Sequence, residues 1–173
     1  MRVRAVIGGL LTLLILLSGC GGQPVEAPRP EAAASDGITA AQPRLTTLKT
    51  WLGKEELSTE IAVTEMQLRT GMMFRKEMGE NEAMLFVFPV ASKQGFWMKN
   101  TYLPLSSAYI DPEGVIQEIH DLKPHDTNAV NSASTRIQYV LEVNQGWFSR
   151  HQVTTGMVLQ TERGGLSKTF FNR

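Results

Sequence analysis

The chain has 173 residues, a length that fits one ordinary domain. Seventeen basic side chains balance seventeen acidic ones, 42% of residues are hydrophobic and 20% are charged. These values exclude a polycationic nucleic-acid binder, a polytopic membrane protein and a wholly disordered chain.

Arg2 and Arg4 precede an apolar run from Val6 to Leu17. That run is shorter than the roughly 20 residues that span a bilayer. A basic start before a short apolar core is the pattern of a secretory signal. Leu17-Ser18-Gly19-Cys20 follows and resembles the bacterial lipobox, in which small residues precede a cysteine that is lipidated and becomes the mature N-terminus. The expectation is a signal peptide over 1–19 and acylation, palmitate included, at Cys20, the single cysteine. Two or more acyl chains anchor a protein stably without a membrane-spanning helix. With Cys20 so used, the mature chain has no thiol left for a disulfide, a nucleophile or a metal ligand. Losing Arg2 and Arg4 leaves a slight negative balance, so strong attraction to anionic lipid is not expected. The expected location is the bacterial cell envelope, lipid-anchored and extracytoplasmic. Gly21, rather than Asp, after the anchor tilts this towards an outer membrane.

Residues 20–44 read as the lipidated cysteine and a flexible tether, rich in Ala and Pro and without an apolar period. The domain is expected over 45–162, with a C-terminal tail over 163–173. Leu45 to Leu52 and Leu57 to Val63 read as strands joined at Gly53-Lys54. Thr64-Glu65-Met66-Gln67 fits a capping box and predicts a short helix from Glu65 to about Thr70, ended by Gly71. Met84 to Phe88 reads as a buried strand. Ser107 to Ile110 and Val115 to Leu122 flank Asp111-Pro112-Glu113-Gly114, a type I turn pattern, and predict a hairpin. Ile137 to Val143 and Val158 to Thr161 add two strands, with one helical turn over Trp147 to His151. The expected fold is mainly β: one compact antiparallel barrel-like or sandwich-like domain with one or two short helices.

Several runs recur together: Gly71-Met72-Met73-Phe74-Arg75, Met84-Leu85-Phe86-Val87-Phe88, Phe96-Trp97-Met98-Lys99-Asn100-Thr101 with Pro104-Leu105, Ile110-Asp111 with Gly114, and Tyr139-Val140-Leu141-Glu142-Val143 with Gly146. In this order they resemble the bacterial and archaeal family known as domain of unknown function 192. The resemblance spans roughly 47–162 and implies a single compact β-rich domain; it implies no activity. Members usually carry an acidic residue after the Pro-Leu pair, where this chain has Ser106. Many carry Gly-Asp late in the domain, where this chain has Gly156-Met157.

The candidate ligand-binding residues are Trp97, Lys99, Asn100, Thr101 and Arg75. On a strand Trp97 and Lys99 share one face, and Phe96 and Met98 share the other. An indole plane beside a cation, with amide and hydroxyl groups at the strand end, suits a sugar or a peptide. Arg75 can clamp a carboxylate or phosphate, or it can pair with Glu77 or Glu142. Glu142, in an apolar strand, and Asp111, at a turn, are weak catalytic candidates. A buried glutamate is either paired or raised in pKa. His120, His125 and His151 match no metal-ligand spacing, and no metal or cofactor is implied. The leading expectation is non-catalytic binding of an envelope glycan, peptide or protein partner, with no nucleic acid. The alternatives are a hydrolase or lyase using Glu142 or Asp111 with Lys99 and Arg75, and a structural or assembly protein without a small ligand.

Overall fold

The computed structural model describes residues 37–172. The expected signal peptide, Cys20 and most of the expected tether lie outside those residues.

β1 (Thr47–Leu52) and β2 (Glu55–Ala62) form a hairpin whose turn uses Gly53 at φ 62°. Thr64 then caps α1 (Glu65–Thr70): its side chain accepts from the Gln67 amide, and the Gln67 side chain accepts from the Thr64 amide. Gly71 ends the helix at φ 48°, where an added Cβ would stand 3.1 Å from the Phe86 ring. The chain crosses over to β3 (Glu82–Ser92), which runs parallel to β2. β4 (Gly95–Phe96) pairs with β7 (Val130–Asn131) in a small sheet of its own. β5 (Leu105–Ile110) and β6 (Ile116–Leu122) form the expected hairpin around Asp111. β8 (Ile137–Asn144), α2 (Trp147–Arg150), β9 (Leu159–Thr161), β10 (Gly164–Gly165) and α3 (Leu166–Phe171) follow.

The main sheet has the order β10-β9-β1-β2-β3-β8-β5-β6. The mainly β expectation holds, but the sheet is mixed rather than purely antiparallel, because the α1 crossover makes β2 and β3 parallel. It also stops short of a closed barrel. The two ends approach through a bridge between Val115 and Val158, flanked by the Ile116 amide on the Met157 carbonyl at 2.9 Å.

β8 lies between β3 and β5, and strand alternation sends its side chains to two cores. Tyr139, Leu141 and Val143 join Leu85, Ala108 and Ile110 on one face, beneath Trp147 of α2 and Leu166, Phe170 and Phe171 of α3. The segment after 162 therefore belongs to the folded domain, not to a tail. Its few residues give no strand or helix periodicity, and its two aromatic rings find their partner, Tyr139, some thirty residues earlier in the chain. Val140, Met84, Phe86 and Tyr109 face the other way, with Met72 and Met98 packed on them from the loops. Each large apolar side chain buried here contributes about 1.5–3 kcal/mol of transfer free energy. On this second face β8 carries an exception, Glu142.

Candidate functional site

Two loops, 71–78 and 97–104, cover the second face and meet along a seam. The Phe74 amide donates to the Asn100 carbonyl at 2.7 Å, and the His125 amide donates to the Thr101 carbonyl at 3.2 Å. Phe74, Asn100 and His125 all sit at positive φ, 61°, 56° and 63°. Left-handed backbone is unfavourable for residues with a Cβ, most of all for a bulky one, and persists where the surroundings over-determine it. Here three such residues are brought together by the bonds just named. Their rings follow suit: Tyr102 packs edge-on against Phe74 at 6.3 Å and against His125 at 5.1 Å.

The 96–99 run is not the expected strand, since β4 ends at Phe96. The Met98 amide turns instead to the Asp126 carbonyl at 2.7 Å. The alternation survives nevertheless. Met98 is buried and Phe96 packs on the second core, while Trp97 is 40% exposed and Lys99 Nζ lies 5.2 Å from the indole centroid. A cation over an indole face at this range is attractive. Tyr102, one loop turn away, is 47% exposed. Thr101 is buried, and its hydroxyl donates to the Lys99 carbonyl at 3.3 Å. Asn100 contributes its backbone conformation and carbonyl to the seam.

Arg75 takes neither Glu77 nor Glu142. Its Nη2 donates to Glu60 Oε2 at 2.9 Å and to the Pro43 carbonyl at 3.2 Å, and its Nε is buried without a partner. Glu60 also accepts from Arg44 Nη1 at 2.9 Å and from the Leu45 amide at 2.7 Å. Gln42 Nε2 donates to the Gly71 carbonyl at 2.9 Å. Residues 42–45, expected to belong largely to the tether, are thus fastened beside the seam. A cleft of about 200 Å³ lined by Arg44, Thr47, Ser58, Glu60, Glu82 and Ala83 lies next to this cluster. Its two carboxylates are already engaged, because Arg44 bridges Glu60 and Glu82 and Arg75 also pairs with Glu60.

Glu142 is 3% exposed, and burial pushes its carboxyl up to about 8. No hydrogen bond or ion pair reaches it among the described residues. The register sets a row across the second face: Glu60, Met84, Glu142, Ser107, His120. Leu105 on β5 and Asn144 on β8 are the next residues along on the same face. Asn144 Nδ2 donates to the Gly79 carbonyl at 2.8 Å, and Leu105 leads back into the 97–104 loop. Glu142 is thus one register step from the Leu105–Asn144 pair. Asp111 does not join it. Four residues beyond Ser107, it stands about 13 Å along the strand, outside the roughly 5–10 Å that a carboxylate pair needs. Its Oδ1 accepts from the Glu113 and Val115 amides and its Oδ2 from Gln117 Nε2, so it serves the turn.

The histidines are scattered. His120 Nε2 is 3.0 Å from Glu118 Oε2, and His151 Nδ1 is 2.8 Å from Glu55 Oε2. Among the described residues no three His, Cys, Asp or Glu side chains are grouped to hold a metal ion. Ser106 donates to Asp121 Oδ1 at 2.5 Å and accepts from the Gly146 amide at 2.9 Å. Sequence reasoning missed Phe74, Tyr102 and His125 as one aromatic group, because they lie about 25 residues apart in sequence and meet through backbone conformations that no residue pattern announces.

A family model, DUF192, described as uncharacterized ACR, matches residues 48–161. No curated protein matches the chain. The fold is similar to that of a candidate transcription regulator from Sinorhizobium meliloti 1021, with TM-score 0.66 and 32% identity over 70% of this chain and 98% of that one. It is also similar to a protein of unknown function from Novosphingobium aromaticivorans DSM 12444, with TM-score 0.64 and 26% identity over 72% of this chain and 94% of that one.

Proposed function

The chain belongs to the DUF192 family, and from that premise we propose that it is a lipid-anchored, extracytoplasmic envelope protein whose domain binds an envelope glycan, peptide or protein partner without catalysis. The observation that carries the reading is two exposed rings on one loop, Trp97 with Lys99 over its face and Tyr102 packed against Phe74 and His125, in a loop region with unfavourable backbone conformations. Exposed aromatic rings on a rigid frame supply contact area at little entropic cost, and binding residues concentrate on such loops. The lipobox at Cys20 supports the location. The basic residues are matched in number by acidic ones, without the basic excess that marks many nucleic-acid binders, so the regulator description of the Sinorhizobium protein is not carried over.

The test is capture of the full chain by envelope fractions. Trp97→Ala should weaken capture at least about tenfold, equal to about 1.4 kcal/mol, with unchanged circular dichroism. Failure of the native chain to bind any fraction overturns the reading. A second reading, a hydrolase or lyase using Glu142 or Asp111 with Lys99 and Arg75, draws support from the raised Glu142 carboxyl alone. Full biological activity in a Glu142→Gln, Lys99→Ala double variant refutes it.

A further inference from the structure

We infer that the outward face of β1 and β2, from the cleft at Thr47 and Ser58 to the indole of Trp51, is a binding site for an uncharged oligosaccharide. The inference rests on the binding reading above and adds a second surface to the loop rings of Trp97 and Tyr102.

Register and burial put these residues on one face. On β1, Leu48 and Leu52 join the first core and Thr50 is buried between them, so Thr47, Lys49 and Trp51 point outward. On β2, Leu57 and Ile61 join the same core, which turns Glu56 and Ser58 outward. Trp51 lies opposite Glu56 on one side and opposite Gln160 of β9 on the other. Gln160 in turn lies opposite Gly165 of β10, which carries no side chain and leaves the surface beside it open. Trp51 is partly exposed, and among the described residues no aromatic ring packs on it. Ser58 is two residues, about 7 Å, along β2 from Glu56. With Thr47, Arg44, Glu60 and Glu82 it lines the cleft of about 200 Å³. Cleft and indole thus stand along one pair of strands.

The chemistry of this face selects the ligand. A partly exposed indole offers a flat apolar plane, which suits the apolar face of a sugar ring. Lys49 Nζ meets Glu56 Oε1 at 2.8 Å, while Arg44 Nη1 and the Gly79 amide meet Glu82 Oε2 at 3.1 and 2.9 Å. The second oxygen of each carboxylate is left to accept from a hydroxyl, and the Gln160 amide and Ser58 hydroxyl both donate and accept. Arg44 and Lys49 are already spent on acids, so an anionic sugar finds no counter-charge here. An ammonium would have to displace one of them. A peptide added as a strand finds no edge, because from Thr50 to Leu52 β1 is paired on both sides. Thr47 and Trp51 are four residues, about 13 Å, apart along β1, so linked rings rather than one sugar reach from cleft to indole.

The experiment is titration calorimetry of the full chain in detergent with four probes. Cellotetraose, maltotetraose and an N-acetylglucosamine tetramer are neutral; a galacturonic acid tetramer is anionic. At least one neutral tetramer should bind, and the anionic one should bind at least about tenfold more weakly. Trp51→Ala should lose at least about tenfold in affinity for the neutral tetramer, and Trp51→Phe, which keeps a ring, should lose less. Ser58→Tyr, which fills the cleft from an exposed strand position, should lose as much as Trp51→Ala with unchanged circular dichroism.

Binding of none of the neutral tetramers, or tighter binding of the anionic one, overturns the inference. Native affinity in both Trp51→Ala and Ser58→Tyr, with Trp97→Ala losing it, also overturns the inference, because the sugar then sits on the loops and the binding reading stands. Trp97-dependent capture by an envelope fraction separates failure of this site from failure of that reading.

Discussion

Two buried glutamates on one face of the sheet, about 10 Å apart across two strands, have opposite surroundings. Glu60 meets two guanidinium groups and a backbone amide, whereas Glu142 meets Met84 and Ser107. Removing the partner of a buried charge is expensive, so Glu60→Ala should cost about 3–5 kcal/mol by stranding Arg75, read as a lowered denaturation midpoint. Glu142 behaves differently. Between its ordinary 4.5 and about 8 the folded chain keeps a proton that the unfolded chain has released. Its contribution to stability is complete below 4.5 and is lost as pH rises to about 8. Glu142→Gln should abolish that loss, so the variant should melt several degrees above the native chain at pH 9 and closer to it at pH 5. A difference between the two that does not change with pH would show that Glu142 is ionised in the fold.

At the scale of elements, local chemistry reads well and distant partnership does not. Thr64 and Gln67 announce α1 because both halves of the cap lie within three residues. Thr64→Ala should cost about 1 kcal/mol, measured by chemical denaturation. The β5–β6 hairpin is equally legible, since Asp111 satisfies its own turn. Arg75 shows the limit. Its partner Glu60 lies on the other side of the crossover, so a search among near neighbours and the one obvious strand glutamate finds the wrong ones. Trp97 and Lys99 are a third case. They come together as alternation requires, yet on a loop, because the Met98 amide bonds to Asp126 rather than to a strand. The residues of the candidate site were legible one by one; the seam that gathers them depends on three positive φ values and was not.

At the scale of the molecule, the end of the chain completes the first core. Leu166 is 1% exposed and packs with Trp147 and Leu159 beneath α3. Leu166→Ala should cost about 2–4 kcal/mol, and truncation after Glu162 should cost more, both measured by thermal unfolding of the full chain beside the variants. The sheet's curl has a consequence for crowding. An open edge strand invites pairing with a neighbouring chain, and proteins tethered to one surface meet their copies often. Here the Val115–Val158 bridge ties the start of β6 to β9. Further along β6, Glu118 is occupied by the Ala133 and Ser134 amides and Asp121 by Ser106. A bridged start and two engaged carboxylates along the remainder make this edge a poor template for pairing with the edge strand of a second chain.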